Sequence, residues 1–553
     1  MEVKQYILNG EPPHAPIEDG TTGNYLYKCL KKYRNIERCM TVGETGRSIS
    51  YKDLLENTCR LAQSFLDQNY PINTIISVCS ENSVYYMYPI IAAFYTGLTV
   101  ELVNPNYTYR ELMHMFNIVK PKIIFCSKNT LPNILQIKEN VSFVESVIVM
   151  DVDEDTPNAE CMRTFINRGC RITGEIEKNF KTVTFNRNEH VALILRSSGT
   201  TGLPKGVMVT DENVLVKLNH ASNPTYGIAQ HVKHGCSVLN VNALCHSGGC
   251  FATLSYITLG VHIVHMQKFN EELFLKLIET YKVQSTLLVP ILARTAIRSP
   301  FFNKYNLSSL TEIACGGIPT SKETLLAIEK RLNLNEHFRQ GYGLTEATLF
   351  TCFTPINYTK VGSVGKLLPY MLAKIIDRET NISLPANKVG EISFKGGLVT
   401  KGYFKNVEAT KNAIDDDGWL HTGDIGYYDE EQYFYVVDRF TELIKYKGLQ
   451  ISPAELETII VEHPNIKEAA VVGIPDLDCG ELPAAFIVLQ PGKIITDHEV
   501  HDFLKDKIME EKKLRGGIII VDTLPKTNIG KIMRKSLLAM YGQKIKIYSN
   551  LLQ

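Results

Sequence analysis

The sequence predicts an α/β fold with largely parallel sheets, followed by a small α+β domain at the C-terminal end. Three observations carry this reading. Short β-branched runs, "TIISVCS", "KIIFCS", "SVIVMD", "HIVHM" and "STLLVP", alternate with longer helical patterns. No internal repeat or low-complexity tract interrupts that alternation. Near "VVDRFTELIKYKGLQISP" the texture changes, and the chain beyond it is rich in Lys and Glu and built of short αβ units.

The bulk numbers agree. With 553 residues, 44% hydrophobic and 21% charged, the chain has ample core for several domains. Lys+Arg and Asp+Glu both total 59, so net charge points to neither nucleic acid nor an anionic membrane. The opening "MEVKQYILNGEPPHAPIEDG" lacks the apolar core of a secretory signal. The thirteen Cys show no CxxC pairs and read as reduced thiols of an intracellular protein. The tail "YSNLLQ" is not an SKL-type address, so cytoplasm is favoured and a peroxisomal location stays open.

Taken in chain order, the uncharged stretch 82–100, "NSVYYMYPIIAAFYTGLTV", approaches the length of a membrane span. Pro89, Gly97 and four Tyr interrupt it, so it reads as a buried helix followed by a strand and not as a transmembrane segment. The run "VALIL" then empties into "RSSGTTGLPKGV". Glycines there let backbone N–H groups approach an anion, hydroxyls add donors and Lys205 adds charge. The Walker A spacing is absent, which leaves a different kind of nucleotide loop or a surface turn. Further on, "TSKE" (320–323) and "SPAE" (452–455) read as capping boxes, the second with Pro453 at the first helical position. "GYYDEEQYFYVV" reads as a hairpin between aromatic strands, and the domain boundary falls near Asp438 to Glu442.

Several stretches could carry chemistry. "ACGGIP" offers backbone at Gly316 and Gly317 against which a flat ring could lie. "QGYGLTEAT" presents Gln340, Gly341 and Tyr342, then Thr345 and Glu346, the last a hard oxygen ligand suited to Mg²⁺. "GWLHTGD" holds the single Trp and ends in Asp424, whose carboxylate could accept from both ribose hydroxyls, with Arg439 soon after. His246 in "NALCHSGGC" reads by default as a buried, hydrogen-bonded imidazole. "LPKTNIGKIMR" sets Lys531 on a Gly-softened loop. Each also has a plain structural reading as a cap, turn, core ring or surface lysine.

Together, "SSGTTGLPKGV", "QGYGLTEAT", "GWLHTGD", "DRFTELIKYKGLQISPAELE" and "LPKTNIGK" resemble the adenylate-forming superfamily of acyl-CoA synthetases, 4-coumarate–CoA ligases and beetle luciferases. "YKGLQISPAELE", "GELPAA" and "KKLRGG" look like its luciferase-related insect branch. The resemblance spans nearly the whole chain. It implies a large N-terminal domain of stacked α/β subdomains over 1–438, a hinge at 439–443 and a small mobile lid domain over 444–553.

By that likeness Ser197, Ser198, Gly199, Thr200, Thr201, Gly202 and Lys205 would hold the β- and γ-phosphates of ATP. Gly316, Gly317 and Tyr342, with Gln340 and Gly341 beside them, would bracket adenine. Asp424 would grip the ribose near Arg439, Thr345 would contact the α-phosphate and Glu346 would bind Mg²⁺. Lys531 would serve adenylation from one face of the small domain. Lys445 would serve thioester formation with coenzyme A from the other face, where Gln450 also lies. His246 stands at the acid pocket as a further catalytic candidate.

Some positions depart from the pattern. Thr441 takes a hinge position that usually holds Lys or Asp, and Asp211 follows "MVT" where His or Asn is common. In the acid pocket Gly248 lacks an aromatic ring, Lys217 replaces Arg and Leu349 replaces a small polar residue. These changes imply a greasier, less aromatic pocket suited to an alkyl chain. The expected partners are a small carboxylic acid, ATP and coenzyme A, with no nucleic acid. The expected activity is AMP-forming ligation of medium- or long-chain fatty acids to CoA. A luciferase-type monooxygenase and an aromatic acid–CoA ligase are the alternatives.

Overall fold

The computed structural model describes residues 5–168, 179–197, 205–228, 232–317, 322–334, 338–356, 360–446, 449–476, 479–505, 507–508, 510–526 and 531–551. Among them the chain forms four sheets with helices between, and the mixed α/β class is as predicted. Two large sheets are mainly parallel. In the seven-stranded one, Thr99–Val103, Ile75–Cys79, Ile123–Cys126 and Ser146–Val149 run parallel, and Val191–Ser197 joins beside Thr99–Val103. In the nine-stranded one, Phe338–Tyr342, Glu312–Gly316, Val283–Leu288, Ser237–Asn240 and His262–His265 are parallel neighbours. All five β-branched runs singled out in the sequence form strands of these two sheets.

The stretch 82–100 forms the helix Met87–Thr96 and leads into the strand Thr99–Val103. Every residue of that helix is buried, which is why its composition is apolar all round. Gly97 ends it at φ 72°, a left-handed conformation that glycine adopts without penalty. No helix among the described residues is long and apolar enough to cross a membrane. The described cysteines are free thiols, most of them buried.

A third, five-stranded antiparallel sheet contains the expected hairpin. Leu420–Tyr428 pairs with Phe434–Arg439, and the rings of Tyr427 and Tyr435 stack across it at 4.8 Å. Beyond Glu442 the chain builds a separate sheet from Ile444–Tyr446, Leu449–Ile451, Ile466–Asp476 and Gly480–Leu489. Its own apolar cluster, including Ile444, Leu456, Val471 and Ile487, makes a smaller C-terminal domain beside the large N-terminal one.

One capping prediction is half right. Ser452 caps the helix Pro453–Ile460, with its Oγ accepting from the Glu455 N–H at 3.2 Å. The Glu455 carboxylate does not return to the cap; it accepts from Lys512 Nζ at 2.6 and 2.7 Å. A full salt-bridge partner outcompetes a backbone N–H for a carboxylate. The other predicted box begins at Thr320, outside the described residues.

Candidate functional site

The antiparallel pair Val191–Ser197 and Lys205–Thr210 sets Ser197 opposite Lys205, the two ends of the Gly-rich loop. Ser198, Gly199, Thr200, Thr201 and Gly202 lie outside the described residues. The segment after Thr400 runs along the other edge of the second strand. The Lys401 N–H donates to the Met208 carbonyl and the Met208 N–H to the Gly402 carbonyl, both at 2.9 Å, and the Phe404 N–H donates to the Gly206 carbonyl at 2.7 Å. This pairing lays the Tyr403 ring 4.9 Å from Lys205 Nζ. The Tyr403 hydroxyl then donates to Glu346 Oε1 at 2.8 Å. Glu346 sits on the short helical turn Thr345–Ala347, whose backbone is tied to the same segment by the Thr400 N–H at 3.0 Å. Lys205, Thr345 and Glu346 thus converge, with a tyrosine between the cation and the carboxylate that no sequence motif had flagged.

The second cluster is centred on Asp424. Its Oδ2 accepts from the Tyr342 hydroxyl at 2.6 Å and its Oδ1 from Arg439 Nε at 2.8 Å. Burial raises the Asp424 carboxyl pKa, and Arg439 chiefly opposes that rise. Burial likewise lifts the Tyr342 phenol, which stays a neutral donor. Each carboxylate oxygen retains a lone pair for a further hydroxyl. The antiparallel register places Asp424 opposite Arg439, so the pair follows from the hairpin that the aromatic strands build.

Lys531 reaches this cluster from the small domain. Its Nζ lies 3.8 Å from Glu442 Oε1, and the charges of Arg439 and Asp424 act on it. Burial, then Arg439, lowers its pKa from the usual lysine value. Arg534 shares Glu442 at 3.5 Å and bonds Glu457 at 2.8 Å. Lys445 is placed differently. It is the exposed residue between buried Ile444 and Tyr446, on a strand that pairs it with Gln450. The side chain of Gln450 is outside the described residues. In this arrangement Lys531 joins the Asp424 cluster and Lys445 faces solvent.

The remaining predicted residues border the region between the parallel strands. At Gly316 and Gly341 a ring of the protein itself lies on the side where a side chain would project. A side chain at Gly316 or Gly341 would strike Phe350, whose ring atoms lie 2.7 and 2.8 Å from their respective Cβ positions. Gly317, at φ 91°, has open space on that side, its nearest neighbour being Val289 at 4.0 Å. Gln340 takes part through its backbone, bonded to Thr354. His246 stands at the start of the helix Ser247–Leu259 with no side-chain capping bond, and burial lowers its pKa towards a neutral imidazole.

That helix and the helix Asp211–Ala221 flank a narrow slot of about 20 Å³, room for little more than one water molecule. Phe251, Leu349, Phe350, Phe353 and Leu368 line it, together with Lys217 and His220. The slot is greasy, as expected, but not poor in aromatic rings. Phe350 and Phe353 stack at 5.2 Å, and Leu349 Cδ1 lies 4.0 Å from where a Cβ would stand on Gly248.

A family description, "AMP-binding enzyme", matches residues 30–404, and its C-terminal domain matches 455–531. The chain belongs to the AMP-binding enzyme family. Within this family it is similar to the luciferin 4-monooxygenase of Photuris pensylvanica, 43% identical over 98% of this chain and 99% of that one. It is 34% identical to a 4-coumarate–CoA ligase of Humulus lupulus over 96% of this chain and 94% of that one. Among solved structures, a red-emitting luciferase of Phrixothrix hirtus aligns with a TM-score of 0.75 at 40% identity, covering 98% and 99% of the two chains. An AMP-binding enzyme of this kind is an adenylate-forming protein, and the Lys205, Glu346 and Asp424 clusters are where its motifs fall.

The residues fit a magnesium ion brought in with nucleotide. No group of three or more His, Cys, Asp or Glu among the described residues could hold a metal alone. Glu346 keeps one oxygen beyond its bond to Tyr403, the single-carboxylate arrangement that suits Mg²⁺ carried on phosphates.

Proposed function

We propose that this AMP-binding enzyme is an acid–CoA ligase that joins a medium- or long-chain aliphatic acid to coenzyme A through an acyl-adenylate. The observation that carries the reading is the convergence of Lys531, Asp424 and Arg439. The substrate carboxylate attacks the α-phosphorus of ATP in line, the bond to pyrophosphate breaks, and an acyl-adenylate remains. Almost no proton transfer is needed, so positioning and charge stabilisation dominate.

In this reading Asp424 and Tyr342 hold the ribose end. Lys205 and the Gly-rich loop take the outgoing pyrophosphate, and Thr345 lies at the α-phosphate. Lys531 bridges the substrate carboxylate and the phosphate oxygens as charge shifts between them. Magnesium supplies charge neutralisation on the phosphates, held at Glu346. The small domain then turns so that Lys445 and Gln450 face the adenylate. The CoA thiolate attacks the acyl carbon, and AMP leaves. This is one cavity serving two reactions through a hinge at 439–443.

A second reading has its own support, because luciferin 4-monooxygenases are among the most similar relatives. In that case the adenylate would meet O₂ and emit light.

AMP release across aliphatic acids, aromatic acids and luciferin, with and without CoA, separates the two. CoA-stimulated release with an alkyl-chain optimum is the expected result. Release with luciferin alone, accompanied by light, would replace the ligase reading by the second. Release with no acid tested would reject both.

A further inference from the structure

A row of side chains crosses the seven-stranded sheet and ends beside Lys205. Four of its strands lie in the order Ile75–Cys79, Thr99–Val103, Val191–Ser197 and Lys205–Thr210. Ser77 pairs in register with Glu101, Glu101 with Ile194, and Arg196 with Gly206. Register partners, and residues two apart on a strand, share a face, so Ser77, Glu101, Arg196 and Gly206 stand in one row. The Ser77 Oγ donates to Glu101 Oε2 at 2.5 Å, and Arg196 Nη2 donates to Glu101 Oε1. The guanidinium then reaches over the next strand, where a Cβ on Gly206 would stand 3.4 Å from Nη1. The Gly206 carbonyl accepts from the Phe404 N–H, and the neighbouring Lys205 lies against the Tyr403 ring.

Stability is a poor explanation of this ion pair. Its side chains are 4% and 0% exposed, so both charges are desolvated, and two apolar residues of similar volume commonly hold a fold as well or better. The other fully buried pair, Arg339 and Glu312, is built differently. Arg339 also donates to the carbonyls of Thr354, Gly227 and Thr225, which occupies its Nε and both Nη atoms. Arg196 Nε is buried with no hydrogen-bond partner, and among the described residues Glu101 alone orients the guanidinium. A buried cation left partly unsatisfied costs free energy. What the arrangement achieves is geometric. A planar fork, held from behind by Glu101, packs against the edge strand at Gly206, one residue from Lys205.

We propose that Arg196, held by Glu101, is a positioning residue for adenylation: it sets the edge strand so that the Lys205 ammonium meets the outgoing phosphates. The proposal rests on the reading of Lys205 as the phosphate-binding lysine and adds the residue that places it.

The test measures acid-dependent exchange of pyrophosphate into ATP by the full-length protein, with an aliphatic acid and without CoA. Wild type, Glu101→Leu/Arg196→Met, Lys205→Ala and the triple variant are compared, with a melting temperature for each. Removing both charges together leaves no bare buried ion, so the double variant is expected to melt near wild type. Its kcat/KM for ATP is expected to fall about tenfold or more, the scale on which ångström-sized misplacement acts, while KM for the acid stays unchanged. In the Lys205→Ala background the same two changes are expected to cost less than about twofold further, because the group they place is gone.

A double variant that keeps the wild-type kcat/KM for ATP would overturn the proposal and leave Lys205 in its role. An equal loss in the wild-type and Lys205→Ala backgrounds would also overturn it, because Arg196 would not be acting through Lys205. Should the double variant fail to fold, Arg196→Lys decides. Its ammonium keeps a charge opposite Glu101 but lacks the fork that packs on Gly206, and wild-type ATP kinetics there would overturn the proposal. Full exchange by Lys205→Ala, or no exchange by wild type with any acid, would instead mark the failure of the reading on which the proposal rests, and the proposal would fall with it.

Discussion

In the proposed site Tyr403 would hold the phosphate end together through one hydroxyl. Its ring lies by Lys205 and its O–H fixes Glu346 Oε1, so the carboxylate is aimed before any cation arrives. Tyr403→Phe removes a hydrogen bond to a charged group and leaves the ring in place. The Mg²⁺ concentration for half-maximal adenylation is expected to rise about 3–10-fold, with little change in melting temperature, from a bond of this kind. A titration of activity against Mg²⁺ checks it, and an unchanged midpoint would assign the hydroxyl a purely structural role.

Asp211 makes a different prediction at the same scale. Its Oδ2 accepts from the Thr22 N–H at 2.9 Å, but burial dominates and raises its carboxyl from 3.8 to about 6. A raised carboxyl favours the protonated folded state. Its contribution to stability is therefore complete below the unfolded value and is lost as pH rises through about 6. Asp211→Asn is expected to be more stable than wild type at pH 7, by an amount on the order of 2–3 kcal/mol at most. The gap should close as the pH falls below 4. Melting temperatures across that range test the sign, and a gap that widens at low pH would contradict it.

At the scale of elements, the cap of the helix Pro453–Ile460 ties it to the end of the strand Phe434–Arg439. Ser452 accepts from Glu455 and donates to Asp438 Oδ2 at 2.6 Å, and Asp438 also accepts from the Ala454 N–H at 3.2 Å. Ser452→Ala is expected to destabilise the small domain by about 1 kcal/mol. Urea unfolding followed by a probe in that domain would show it, and a null effect would mean that Asp438 caps the helix alone.

The strands were legible in the sequence because buried parallel strands are continuous β-branched runs, as in "TIISVCS" and "SVIVMD". Lys205, Glu346, Asp424 and Lys531 were legible because their motifs are local. Tyr403 was not, because it reaches Glu346 only when the segment after Thr400 pairs with Lys205–Thr210, a contact between distant parts of the chain. The ring of Phe350 was missed for a related reason. Glycines at 316 and 341 announce open backbone, and only the packing reveals that a side chain further along the chain covers it.

At the scale of the whole molecule, the small domain stands with Lys531 towards Asp424 and with Lys445 exposed. Glu442, in the proposed hinge, pairs with both Lys531 and Arg534, so these ion pairs favour this orientation. A half-buried network of this kind is held firmly enough to matter and weakly enough to release. In the account proposed above, Lys445→Ala keeps adenylation and impairs thioester formation, whereas Lys531→Ala does the reverse. Supplying preformed acyl-adenylate with CoA isolates the second step. Equal loss of both steps in both variants would reject the two-face rotation.

The most direct test of the central claim is acid-dependent exchange of labelled pyrophosphate into ATP without CoA, which needs adenylation alone. Wild type is expected to exchange with an aliphatic acid, and Lys531→Ala to lose ~10²–10³ of that rate, the cost of removing one transition-state contact. Exchange by Lys531→Ala within about tenfold of wild type, about 1.4 kcal/mol of barrier, would contradict the placement of Lys531 at the reacting carboxylate.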